Sequence, residues 1–185
     1  MKGKLIVVSG PSGVGKDTIV SKYLENNDAY LSISCTSRAI REGEKEGVNY
    51  YYLSNEEFEE RINNGDFLEY AKYNDNYYGT PKYKIEEKLN SGIDVILIIE
   101  VQGALKVKNI MPDALFIFIM PPSIDELRER LINRGTEDIE TINKRMETAI
   151  KEIDASSFYD YKIVNNDLDV AVKELEEIIK KEKTE

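Results

Sequence analysis

LIVVSGPSGVGK, residues Leu5 to Lys16, is an apolar, β-branched run interrupted by Gly10 and Pro11 and closed by a lysine. Leu5 to Ser9 reads as a buried strand, ended where glycine and proline break the pattern. A helix is expected from about Gly15 to Asn26, so the loop between them joins a strand to a helix N-terminus. Gly10 to Lys16 fits the spacing G-x-x-x-x-G-K. In that setting glycines let the backbone curl until its N–H groups point at phosphate oxygens, and the helix end adds partial positive charge. Lys16 then reaches the outer phosphates of a nucleoside triphosphate, which makes it a candidate catalytic residue. The positions assigned to ATP phosphates are Gly10, Pro11, Ser12, Gly13, Val14, Gly15, Lys16, Asp17 and Thr18.

One of these positions departs from the pattern. The Ser or Thr that usually follows the lysine and ligates Mg²⁺ is Asp17, with Thr18 after it. Two readings of Asp17 stand open. Its carboxylate either stabilises the first helical turn through the macrodipole, worth about 0.3–1 kcal/mol, or contacts Mg²⁺ directly or through water.

Outward from the loop, Val95 to Glu100 (VILIIE) and Ala114 to Met120 (ALFIFIM) are continuous apolar runs, and Tyr161 to Val164 (YKIV) is a shorter one. Strands apolar on both faces suit a parallel sheet covered by helices. Pro81 to Asn90 and Gln102 to Ile110 supply helical crossovers, and Ser123 with Glu126 marks a capping box opening a helix over Ile124 to Asn133. Leu168 to Lys181 places Val172, Leu175, Ile178 and Ile179 at helical spacing. The alternation predicts an α/β fold with a doubly wound parallel sheet of about five strands.

Two segments differ in texture. Eight of the twelve tyrosines fall between positions 32 and 83, where strand-like pieces Tyr50 to Leu53 and Phe67 to Tyr73 flank a helix opened by the box Ser54 and Glu57. This reads as a small mixed α+β lobe inserted into the core; strand packing accounts for its tyrosines as well as ligand contact does. Arg134 to Arg145 (RGTEDIETINKR) reads as a mobile, mostly helical lid. The expected division of one domain, 1–185, is a core of 1–32, 83–124 and 148–185, a lobe of 33–82 and a lid of 125–147.

Composition narrows the chemistry. The chain has 185 residues, one cysteine, no histidine and a net charge of −10. Without histidine, a Ser-His-Asp triad, a Cys-His pair and a His-based zinc site are excluded. Phosphoryl transfer remains open, because it runs on positioning and on charge stabilisation by Lys, Arg, Mg²⁺ and backbone amides. The acidic balance argues against nucleic acid or an anionic membrane as partner. Six of seven arginines fall in two segments, Arg38 with Arg41 and Arg128, Arg130, Arg134 with Arg145. They form either two phosphate-facing surfaces or ordinary solvated faces. Leu5 to Val8 is too short for a membrane span or a signal peptide, and a lone Cys35 fits a reducing compartment. The expectation is a cytoplasmic protein, monomer or homodimer.

In order along nearly the whole chain stand GPSGVGK at Gly10 to Lys16, S-x-T-x-R-x-x-R from Ser34 to Arg41 and F-L-E at Phe67 to Glu69. They are followed by Y-Y-G-T at Tyr77 to Thr80, E-V-Q-G at Glu100 to Gly103, R-G-T at Arg134 to Thr136, K-R-M at Lys144 to Met146 and I-V-N at Ile163 to Asn165. In these motifs the chain resembles the guanylate kinases. The resemblance implies transfer of the ATP γ-phosphoryl group to GMP with Mg²⁺, giving ADP and GDP, by a core, a GMP-binding lobe and a closing lid.

The same resemblance assigns Arg38, Arg41, Tyr50 and Tyr78 to the GMP phosphate, and Ser34, Glu69 and Thr80 to the guanine base. Glu100 is placed at its strand's end near GMP or Mg²⁺. Arg134 and Arg145 become catalytic bridges between the two phosphates, assisted by Arg130, and Asn165 lies on the adenine side. Mg²⁺ is expected through Asp17 or Glu100 by way of water. Position 98, often acidic in the family, is Ile98 here. Three rivals make different demands. Guanylate-kinase-like peptide-binding modules typically lack a working phosphate loop, which is intact here. Another P-loop kinase would not share Ser34, Glu69 and Thr80 together, and an acceptor-free NTPase would leave Arg38 and Arg41 idle.

Overall fold

The computed structural model describes all residues except 1, 74, 134, 136, 137 and 185. Leu5–Ser9 forms β1, and Leu5, Ile6, Val7 and Val8 are all buried because strands flank it on both edges and helices cover both faces. There follow α1 (Lys16–Leu24), β2 (Ala29–Leu31), β3 (Cys35–Thr36), β4 (Tyr51–Tyr52), α2 (Asn55–Asn63), β5 (Phe67–Tyr73), β6 (Asn76–Pro81) and α3 (Lys82–Asn90). The chain continues through β7 (Asp94–Ile98), α4 (Val101–Ile110), β8 (Leu115–Met120), α5 (Ile124–Asn133), α6 (Ile139–Asp154), a 3₁₀ turn (Ala155–Phe158), β9 (Tyr161–Val164) and α7 (Leu168–Glu182).

A five-stranded sheet has the order β2-β7-β1-β8-β9, and every pairing in it is parallel. Side chains alternate across a strand, so Ile6 and Val8 join Ile19, Leu127, Ile142 and Leu175 on one face. Leu5 and Val7 join Ile85, Leu97, Val107 and Phe118 on the other. Two clusters of this kind are what hold β1 rigid beneath the loop that leaves it.

A second sheet, order β4-β3-β6-β5, is built from short strands, with β6 antiparallel to both β3 and β5. Its own small core is Cys35, Phe58 and Phe67. Phe58 stacks between Phe67 at 4.4 Å and Tyr77 at 5.1 Å. Helix α2 starts at a complete capping box: Glu57 N–H donates to Ser54 Oγ at 3.1 Å and Ser54 N–H to the Glu57 carboxylate at 2.7 Å.

Several expected elements are corrected. The apolar run after Asp94 is a strand only to Ile98, and Glu100, expected at its end, is the N-cap residue of α4. At Ser123 the N–H of Glu126 is captured at 3.1 Å, but the Glu126 carboxylate pairs with Arg130. Helix α1 is shorter than expected at both ends. Strands β2, β3 and β6 are additional to those read from periodicity. Helix α6 runs unbroken from Ile139 to Asp154. Among the described residues no helix is long and apolar enough to cross a membrane.

Candidate active site

Strand β1 delivers the chain into the loop, and glycine is obligatory there for two reasons. Gly13 and Gly15 have φ of 87° and 93°, a left-handed conformation costly for residues with a Cβ. A Cβ on Gly15 would also sit 2.6 Å from Asn165 Nδ2, and one on Gly13 would sit 2.9 Å from Leu131. Asn165 is buried, and its Nδ2 donates to the Val14 carbonyl at 2.7 Å, bracing the loop from β9's end. Arg130 in turn donates to the Asn165 carbonyl at 3.0 Å. Lys16 begins α1, while Asp17 and Thr18 are exposed on its first turn.

Helix α6 reaches this loop. Arg145 Nη1 donates to Ser12 Oγ at 2.9 Å, so a guanidinium from α6 already lies against the phosphate loop. Arg134, its expected companion, lies outside the described residues. Two turns further along α6, on the same helical face as Arg145 and the buried Ala149, stands half-buried Glu152. Burial pushes its carboxyl up to about 7, with Glu100 adding to the rise and Lys16 opposing it. Glu152 thus faces the same locale as Lys16 and Glu100, a position no local pattern signals.

In the small lobe, the β5–β6 register sets Glu69 opposite Thr80. Thr80 Oγ1 donates to Glu69 at 2.6 Å. The Glu69 carboxyl is raised above its ordinary range, chiefly by burial, against the Thr80 hydrogen bond and Lys106 and with Glu100 reinforcing the rise. Gly103 of α4 makes room for it: a Cβ there would lie 3.1 Å from Glu69 Oε2. Ser34, half-buried, immediately precedes β3.

Arg38 sits over the Tyr50 ring at 5.5 Å, and Tyr50 meets Tyr78 edge-on at 6.0 Å. Arg38 pairs with Glu44, a residue absent from the expected site, while the Arg41 backbone N–H also donates to Glu44 at 2.8 Å. Arg41 is exposed. Ile98, standing where the family often has an acid, packs against the apolar cluster around Ile6 and Val8.

Among the described residues no group of three acidic or thiol side chains converges into a metal cage. Asp17 and Glu100 are exposed oxygen donors at helix starts. That donor set fits Mg²⁺, which is commonly held by substrate phosphates and water with one or two carboxylates.

A parallel sheet whose central strand feeds a glycine-rich loop onto a helix, with a guanidinium leaning in from a neighbouring helix, defines a P-loop phosphotransferase. Residues 2–182 match the family model described as guanylate kinase. A guanylate kinase of Clostridium tetani is 52% identical over 98% of this chain and 88% of its own length, and one of Clostridioides difficile is 51% identical over 98% and 89%. The crystal structure of guanylate kinase from Anaplasma phagocytophilum superposes with a TM-score of 0.82 at 37% identity, covering all of this chain and 88% of that one. The chain belongs to the guanylate kinase family and carries its activity, transfer of a phosphoryl group from ATP to GMP.

Proposed function

We propose that the small lobe, 33–82, is the GMP-binding unit, that 125–147 closes as a lid, and that the remaining segments bind ATP. The hydrogen bond between Thr80 and Glu69 carries this reading. Guanine presents N1–H and N2–H₂, and an ionised carboxylate accepts from both. Since Thr80 commits its one proton to Glu69, the hydroxyl that donates to guanine O6 is Ser34's. Adenine has an amino group in place of O6 and lacks those donors, so AMP leaves buried polar groups unpaired, which discriminates far more strongly than a misplaced methyl.

Arg38, Arg41, Tyr50 and Tyr78 hold the GMP phosphate, with guanidinium forks and phenol donors meeting its oxygens. The Gly10 to Lys16 backbone and Lys16 cradle the ATP phosphates. The segment at Asn165 borders adenine with its backbone, since the side chain is spent on Val14. A GMP phosphate oxygen attacks the γ-phosphorus in line; the bond to the β–γ bridging oxygen breaks, leaving ADP and GDP. Arg145 and Arg134 neutralise charge shared between the two phosphates, and closure excludes water. Mg²⁺ would be held by way of water through Asp17 or Glu100, and supplies charge neutralisation on the ATP phosphates.

An ADP-release assay with ATP and Mg²⁺, comparing GMP, dGMP, AMP, UMP and no acceptor, tests the reading. Turnover is expected with GMP and dGMP, and Lys16→Ala should lower kcat by about 10²- to 10³-fold with an unchanged thermal unfolding curve. AMP turnover equal to that with GMP would sink the assignment of the base-reading residues.

A further inference from the structure

Glu44 lies in the polar loop between β3 and β4, yet its side chain is only 19% exposed and that of its partner Arg38 only 12%. It accepts four hydrogen bonds. Oε1 takes Arg38 Nη2 at 2.8 Å; Oε2 takes Arg38 Nη1 at 3.0 Å, the Arg41 N–H at 2.8 Å and the Tyr52 hydroxyl at 2.9 Å. The second Nη1 hydrogen goes to the Ala39 carbonyl at 2.7 Å.

A guanidinium has five N–H donors in one plane, arranged as two bidentate edges plus the outer Nη1 hydrogen. Here the carboxylate takes the Nη1–Nη2 edge and a carbonyl takes the outer hydrogen. Neither a carboxylate nor a carbonyl takes the Nε–Nη2 edge, which holds two parallel donors with the spacing of phosphate oxygens. Its plane is fixed on several sides, with Tyr50 at 5.5 Å, Tyr52 at 5.9 Å and the Tyr78 hydroxyl beside the guanidinium. The Arg38 hydrogen bonds, then that of Arg41, hold the Glu44 carboxyl down at about 2, so it is ionised at neutral pH.

We propose that Glu44 is a positioning residue for the acceptor phosphate: by occupying one edge of Arg38 it presents the other edge to the phosphate of GMP. This rests on the reading that Arg38 binds that phosphate. A negative charge so close to a dianion opposes binding by Coulomb repulsion. The proposal therefore requires that the orientation it enforces outweigh the charge it adds.

GMP and guanosine affinities separate the possibilities, measured calorimetrically on the unmodified protein, Arg38→Ala, Glu44→Gln and Glu44→Asp, with KM for ATP alongside. Glutamine keeps the shape but turns an N–H₂ toward a donor edge, so Glu44→Gln should weaken GMP about tenfold. Guanosine affinity and KM for ATP should stay within about twofold, and Glu44→Asp should recover part of the loss. Equal weakening of GMP and guanosine would mean that Glu44 merely folds the loop, and unchanged or tighter GMP binding would mean that its charge matters more than its geometry; either overturns the proposal. If Arg38→Ala leaves the GMP-to-guanosine ratio unchanged, the acceptor-phosphate reading fails first. Should Glu44→Gln not fold, Tyr52→Phe removes a single donor to Oε2. It should lower GMP affinity alone by about two- to threefold, and an unaltered GMP-to-guanosine ratio there rejects the proposal.

Discussion

Glu69 draws its usefulness from being half-buried beside a single hydroxyl. Ionised, it has acceptor capacity left after Thr80 has donated, and in the proposed reading guanine brings the donors that fill it. Glu69→Ala should therefore lower kcat/KM for GMP about 10- to 100-fold while leaving the value for AMP nearly unchanged. The ratio of the two, measured at one pH, checks this. Glu69, Ser34 and Thr80 were singled out by the resemblance their motifs carry, and folding brings Glu69 and Thr80 together across β5 and β6. Glu44 and Glu152 were not singled out. They are two of 35 acidic residues, and what sets them apart is a partner brought in by folding: Arg38 in one case, the Lys16 and Glu100 surroundings in the other. Asn165 shows the same limit, since its position was legible but its bond to Val14 arises only where β9 meets the loop.

At the scale of elements, strands with continuous apolar runs were the legible ones. β1, β7 and β8 lie between other strands and under helices, and their composition records that burial; β9, at the sheet's edge with Lys162 and Val164 exposed, records it only at Ile163. β2 is only Ala29–Leu31, all half-buried, and has no room for a pattern. β6 contains Gly79 and ends in Pro81, residues that argue against a strand until β5 pairs with it. Helix α4 carries a less visible requirement. Gly103 is buried in its first turn with the Glu69 carboxylate 3.1 Å from where a Cβ would be. Gly103→Ala gains up to about 1 kcal/mol of helix stability, yet it crowds Glu69 out of place. The expected result is an unfolding midpoint equal to or above that of the parent, together with a KM for GMP raised about tenfold and a KM for ATP unchanged, a divergence that steady-state kinetics and thermal unfolding together detect.

Across the whole molecule, α6 carries Arg145 to the phosphate loop and, two turns further on, Glu152 into the surroundings of Lys16 and Glu100. Glu152 titrates near 7 in the folded protein against 4.5 ordinarily, so the folded state holds its proton more tightly than the unfolded chain does. Stability from this group is greatest below about pH 4.5 and declines as pH rises through 7. Glu152→Gln removes that dependence. Denaturant titrations at pH 5 and pH 8 should show the variant more stable than the parent at pH 8 by about 1 kcal/mol, water at the half-buried carboxyl keeping the gain below the full shift, with the difference shrinking at pH 5. An unchanged pH 8 midpoint would show that Glu152 does not strain the fold.

The chain's one thiol, Cys35, is wholly buried in the three-residue core of the small lobe, and burial lifts it to about 11. Such a thiol reacts with alkylating reagents only when its surroundings open. The large sheet has no cysteine, so chemical labelling of the native protein monitors the lobe by itself. A ligand that clamps the lobe shut would be registered as protection of a single, naturally placed atom.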